Sequence, residues 1–347
     1  MQSLRASVPE LSKLERILEE LDPATVRVLA HGRYRSEYLP IYAVTLGPED
    51  RSLPIVVFLG GVHGLERIGT QVVLAHLASL SASLSWDVLL AEALRRVRIA
   101  FIPLVNPVGM ALGRRANGRG VDLMRNAPVE ALGKPWWNLL AGHRLGPALP
   151  WYRGQAGDSM EIESQAVCDF IESETFGSPF ALTLDVHSGF HGADRIWFPY
   201  AKTPEPFPGI GGVLALERLL SKSYPGHRYV VEPQSLHYTT HGDLWDYLYD
   251  KRLNQCPWGR YMPLTLELSA SSWYRKNPRQ LLSPGGTFNP IRNGVRRRVK
   301  RRHHPLFHFL VRATCSWEAW YPSAKKSARL ARKALVRWSP ASSLLVP

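Results

Sequence analysis

Cysteine is nearly absent from this 347-residue sequence: Cys168, Cys256 and Cys315 are odd in number, lie far apart and form no C-x-x-C pair. That argues against a disulfide framework and a cysteine-based zinc site, and it suits a reducing compartment. Long apolar runs are missing as well, so no transmembrane helix is expected. The stretch from Met1 to Asp22 reads as a polar amphipathic helix without the apolar core of a secretory signal, and the expected location is cytoplasmic. Acidic residues are in deficit: 43 Lys and Arg against 29 Asp and Glu leave a formal net charge of +14. Much of that excess sits in Arg296–Arg302 and Lys325–Arg337 and reads first as solvated surface. No recognisable nucleic-acid module accompanies it, so no specific nucleic-acid partner is expected.

What is present is an ordinary globular composition, 45% hydrophobic and 21% charged, enough for a substantial core. Leu11, Leu14, Leu18 and Leu21 recur at helical spacing. Val26–Ala30 and Leu39–Thr45 have the character of short strands. Leu53–Leu59 and Val97–Val105 are continuous apolar runs of the kind buried on both faces of a sheet. Ile68–Leu80, a segment from an Asp158 N-cap to about Phe176, Gly211–Tyr224 and Gly242–Lys251 read as helices. Ala181–Val186, Ile196–Tyr200 and Pro263–Leu268 read as strands. The alternation predicts an α/β fold, a three-layer α/β/α sandwich around a mixed sheet. Residues 1–322 are expected to form one domain, with Leu306–Val311 in a terminal helix, and 323–347 a basic tail, helical or disordered.

Chemistry gathers where the predicted strands end. His63 and Glu66 follow the run ending at Gly60, His187 follows Val186, and Glu267 closes another strand. Ligand sites in open α/β sheets lie at the carboxyl ends of strands. Two imidazoles and a carboxylate form a catalytic zinc set that leaves a fourth position open. The H-x-x-E step lets one loop supply two ligands, and the third must come from a distant strand. His191 is the competing histidine, and it lacks the backbone anchoring of a residue directly after a strand.

Five segments then match a known family in order. They are Gly60-Gly61-Val62-His63-Gly64-Leu65-Glu66, Asn106-Pro107-Val108-Gly109, Gly120-Val121-Asp122-Leu123-Met124-Arg125-Asn126, Asp185-Val186-His187-Ser188 and Thr265-Leu266-Glu267-Leu268. The sequence resembles the zinc carboxypeptidases over roughly residues 54–270. The resemblance implies one zinc per chain held by His63, Glu66 and His187, with Asp122 orienting His63. It implies Glu267 as general base and Arg115 as the group that stabilises the oxyanion, with Arg114 and Arg119 as neighbouring alternatives. Arg125 resembles the clamp on a substrate carboxylate, although it could instead pair with Asp122. Tyr238 matches the tyrosine over the site, with His237 and His241 as neighbouring alternatives in that loop.

Met124 departs from the pattern, because the family usually carries Asn before the clamp arginine. The loop after Asn126 is also unusual, and its Trp136 and Trp137 either line a groove or pack. The expected activity is hydrolysis of an amide in a peptide or peptide-like substrate with a free carboxylate. Two alternatives stand beside it. One is deacylation of N-acyl amino acids, as in the succinylglutamate desuccinylase and aspartoacylase type, which shares the H-x-x-E and distant-His plan. The other is an inactive relative that serves as a binding module. The sequence implies no particular oligomeric state.

Overall fold

The apolar runs assemble into one eight-stranded sheet in the computed structural model, which describes residues 3–132, 139–189, 191–270, 273 and 285–338. In chain order the elements are α1 (Pro9–Leu18), β1 (Val26–Tyr34), β2 (Glu37–Leu46), β3 (Ile55–Gly60), α2 (Arg67–Ser83), α3 (Val88–Leu94), β4 (Arg98–Ile102), α4 (Pro107–Ala111) and α5 (Ile162–Thr175). They continue with β5 (Phe180–Gly189), β6 (Arg195–Phe198), α6 (Ile210–Ser223), β7 (Val230–Pro233), α7 (Leu244–Gln255), β8 (Arg260–Ser269), α8 (Asn293–Cys315), α9 (Trp317–Trp320) and α10 (Ala324–Arg337). The strand order is β1-β2-β4-β3-β5-β8-β6-β7.

The four central strands β4, β3, β5 and β8 run parallel, flanked by antiparallel pairings of β2 with β4 and of β6 with β8. Every residue of β3 and β4 is buried, which is why both segments read as unbroken apolar runs. Helices α2 and α8 pack over β3 and β5, while α5 and α7 meet each other and reach β1 and β8. The result is the expected α/β sandwich with a mixed sheet. Among the described residues no single helix is long and apolar enough to cross a membrane.

Four local expectations change. The opening helix stops at Leu18, and Leu21 is buried beyond its end. The fifth helix starts at Ile162 after Glu161, not at Asp158, because tertiary bonds set its start: Glu161 N–H donates to Asn126 Oδ1, and Asn117 Nδ2 donates to the Glu161 carboxylate at 2.8 Å. β5 runs on to Gly189, so His187 lies within a strand rather than after one. Leu306–Val311 is part of a longer helix that begins at Asn293 and takes in the basic run. Val299, His303, Leu306, Phe307 and Leu310 of α8 are buried, while Arg297, Arg298, Arg301 and Arg302 face outward. Beyond it, α10 lies on α6 through buried Leu330 and Ala334. Trp338 Nε1 donates to the Val231 carbonyl at 2.7 Å, and Arg337 pairs with Glu217.

Candidate active site

The turn after β3 carries His63 and Glu66 into a crevice at the sheet's carboxyl edge. Its shape depends on Gly64, where a Cβ would lie 2.1 Å from the backbone of Gly109 and Met110. Asn106 braces the same turn: Nδ2 donates to the Val62 carbonyl at 3.2 Å, while Oδ1 accepts the Gly109 N–H at 2.8 Å and starts α4. The Asn106-Pro107-Val108-Gly109 segment therefore serves as the platform on which the His63 turn rests.

Strands β5 and β8 supply the facing wall. His187 pairs with Glu267 in register, as Asp185 does with Thr265. Residues two apart along a strand share a face, so all four project to the same side. One ligand-type atom each from His63, Glu66 and His187 lies within 4.8 Å of the others, and all three residues are buried. Glu66 Oε2 accepts the Ser188 N–H at 2.9 Å and lies 3.1 Å from His187 Nδ1. His187 Nε2 lies 2.8 Å from Asp185 Oδ2, which also accepts from Trp245 Nε1 at 3.2 Å. Asp185 thus fixes the ring and leaves Nδ1 toward Glu66. Sequence reasoning assigned Asp185 no role, although its position two residues before His187 in a strand was the available signal.

Asp122 is fully buried, with Oδ1 3.7 Å from His63 Nδ1. Its Oδ2 accepts from Arg115 Nε and Arg125 Nη1, each at 2.9 Å. Burial alone would raise this carboxyl's pKa, but the two guanidiniums and His63 overcome it and hold the group far below the usual carboxylate range. Arg125 therefore makes the ion pair with Asp122 while also lining the crevice. Gly242 packs so closely on this loop that a Cβ there would meet the Arg125 carbonyl at 1.8 Å.

Arg115, Met124, Arg125, Tyr238 and Glu267 line the crevice together with His63 and His187. Arg114 and Arg119 are exposed, and Arg119 pairs with Glu161. His237 lies 2.7 Å from Glu232, and His241 pairs with Glu130, which leaves Tyr238 as the member of that loop over the site. Trp197, Gln234, Thr240 and Asp243 also line it and were not anticipated. His191 stands outside the three-residue cluster, 3.7 Å from Glu267 and edge-on to Trp197. Trp136 and Trp137 lie outside the described residues. Burial raises the pKa of Glu267 to about 7, helped by Glu66 and opposed by His187 and Arg115.

These residues fit a zinc ion. His63 Nδ1 is buried with no hydrogen-bond partner among the described residues, a costly state that ligation would relieve. Burial, with Arg115 adding to it, pushes the His63 pKa well below 6.5 and keeps the ring in its neutral, ligating form. Two imidazoles and one carboxylate, each ring beside its own aspartate, are the donors of a catalytic zinc site with an open position.

Comparison with curated proteins finds no match. Among solved structures, bovine thrombin-activatable fibrinolysis inhibitor in complex with tick carboxypeptidase inhibitor is 17% identical with a TM-score of 0.62, over 96% of this chain and 98% of that one. Carboxypeptidase A from Helicoverpa armigera is 19% identical with a TM-score of 0.56, over 92% and 72%. A metallo-carboxypeptidase from Pseudomonas aeruginosa is 17% identical with a TM-score of 0.51, over 87% and 67%. At such identities the likeness establishes the fold. A sequence profile of the zinc carboxypeptidases matches residues 13–283, and the chain belongs to that family.

Proposed function

We propose that this zinc-dependent hydrolase cleaves an amide in a peptide-like substrate carrying a free carboxylate, with His63, Glu66 and His187 as the metal ligands. The observation that supports it best is the convergence of those three groups within 4.8 Å in one crevice with Glu267 and Arg115. Zinc bound there acts as a Lewis acid toward a carbonyl oxygen and toward water. Glu267 takes a proton from the attacking water and returns it to the leaving nitrogen. Arg115 turns a guanidinium N–H toward the developing oxyanion, and its contact with Glu66, long at 3.4 Å, is the one it gives up. Arg125 holds the substrate carboxylate, positioned by Asp122.

A second reading, deacylation of an N-acyl amino acid, draws support from Met124. Its thioether lines the crevice where the family pattern has an amide, so one hydrogen-bond donor to a terminal carboxylate is missing. A panel of peptides and N-acyl amino acids assayed with zinc-loaded protein separates the two. Turnover of peptides with a free C-terminus, lost on amidation, supports the first reading; turnover of N-acyl amino acids alone supports the second.

A further inference from the structure

A second group of histidines lies apart from the crevice. His76 comes from the middle of α2, while His304 and His308 stand one turn apart on α8. One ring nitrogen of each lies within 4.8 Å of the others. The Nε2 atoms of His304 and His308 are 3.0 Å apart, and the three ring planes cross at 76° to 85°. Two Zn–N bonds of about 2.0–2.1 Å at a tetrahedral angle place their nitrogens about 3.3 Å apart, so small adjustments bring the donors to ligation distance.

His76 makes the cluster informative. It is 1% exposed, and neither ring nitrogen has a hydrogen-bond partner among the described residues. Phe58, Phe101 and Phe307 contact its ring. A buried imidazole with both nitrogens unpaired costs about 1–3 kcal/mol for each unsatisfied group, a cost that an apolar ring of similar shape would avoid. A metal ion bound between α2 and α8 gives one of the two nitrogens its partner.

We propose that His76, His304 and His308 form a second site for a divalent transition metal of the zinc class, tying α2 to α8. Three imidazoles suit zinc and its neighbours and leave a fourth position open. Arg297, Arg298, Lys300 and Arg301 line the adjoining groove with His304. Their field opposes a bare cation and favours an anion in the open position, and solvent exposure of Arg297, Arg298 and Arg301 weakens the opposition.

The test is zinc titration of the metal-free full chain. Wild type is expected to take two equivalents, against one each for His304→Ala and for His76→Phe, which keeps a ring in the apolar pocket. The second dissociation constant should weaken at least about tenfold in either variant, since even outer-sphere losses cost that much. Hydrolysis should be unchanged in both, and the rise in Tm on adding the second equivalent should vanish. In a His63→Ala background, cobalt should give a visible spectrum that disappears on adding His304→Ala. If His76→Phe fails to fold, the half-buried His304 position carries the stoichiometry. Only one equivalent in wild type, or two in folded His304→Ala, overturns the proposal.

Discussion

The two histidine clusters share a helix and differ in what surrounds them. His63 and Glu66 precede the N-terminus of α2, and His76 sits further along it. In the first cluster each imidazole lies beside its own carboxylate: Asp122 stands 3.7 Å from His63 and Asp185 stands 2.8 Å from His187. Among the described residues no carboxylate bonds to His76, His304 or His308, and His76 is walled by phenylalanines. A carboxylate hydrogen-bonded behind a ring fixes its orientation and raises its basicity, as Asp185 does for His187, whereas Asp122 acts on His63 through charge alone. The first site is thus held in one geometry and ringed by Arg115 and Glu267, groups that can act on a substrate. The second has metal donors and only cations in the adjoining groove, Arg297, Arg298, Lys300 and Arg301, with no carboxylate bonded to its rings among the described residues, as befits a structural clip.

The sharpest way to break this comparison is to exchange the damage. His63→Ala should lower hydrolysis on the order of a thousandfold, the several kcal/mol that a catalytic metal contributes, while His304→Ala leaves it unchanged in the same assay. Next in size is Asp185→Ala, which should cost about 10- to 100-fold in affinity for the His63-dependent zinc equivalent by competition with a chelator. The second equivalent, with no aspartate behind its rings, should not respond. Arg125→Lys should raise KM about tenfold on substrates with a free carboxylate, since an ammonium cannot reproduce a bidentate fork. An unchanged KM would assign Arg125 to bracing Asp122 alone. Leu330→Ala on α10 should lose about 2–4 kcal/mol of stability in urea unfolding and leave both zinc equivalents in place, separating loss of stability from loss of metal.

His63, Glu66, His187 and Glu267 were legible because they stand beside strand ends, whereas Asp122 and Arg115 came only with the resemblance to the zinc carboxypeptidases. His63, Glu66, Asp122, His187 and Glu267 all reach the crevice region the pattern pointed to. Asp185 was missed because the strand was read as ending at Val186, which hid the signal that Asp185 and His187 stand two apart on one face of β5. The start of α5 was misplaced because Asn117 and Asn126, far away in sequence, anchor Glu161. The second cluster was invisible for a similar reason: His304 and His308 carry a readable helical spacing, but only the packing of α2 on α8 brings His76 to them.

The most direct test of the active-site assignment measures bound zinc and amide hydrolysis together in wild type and Glu267→Gln. The variant is expected to keep the wild-type zinc content while hydrolysis falls about 100- to 10,000-fold, the contribution of a general acid–base group. Wild-type turnover in a zinc-loaded Glu267→Gln protein would contradict the assignment.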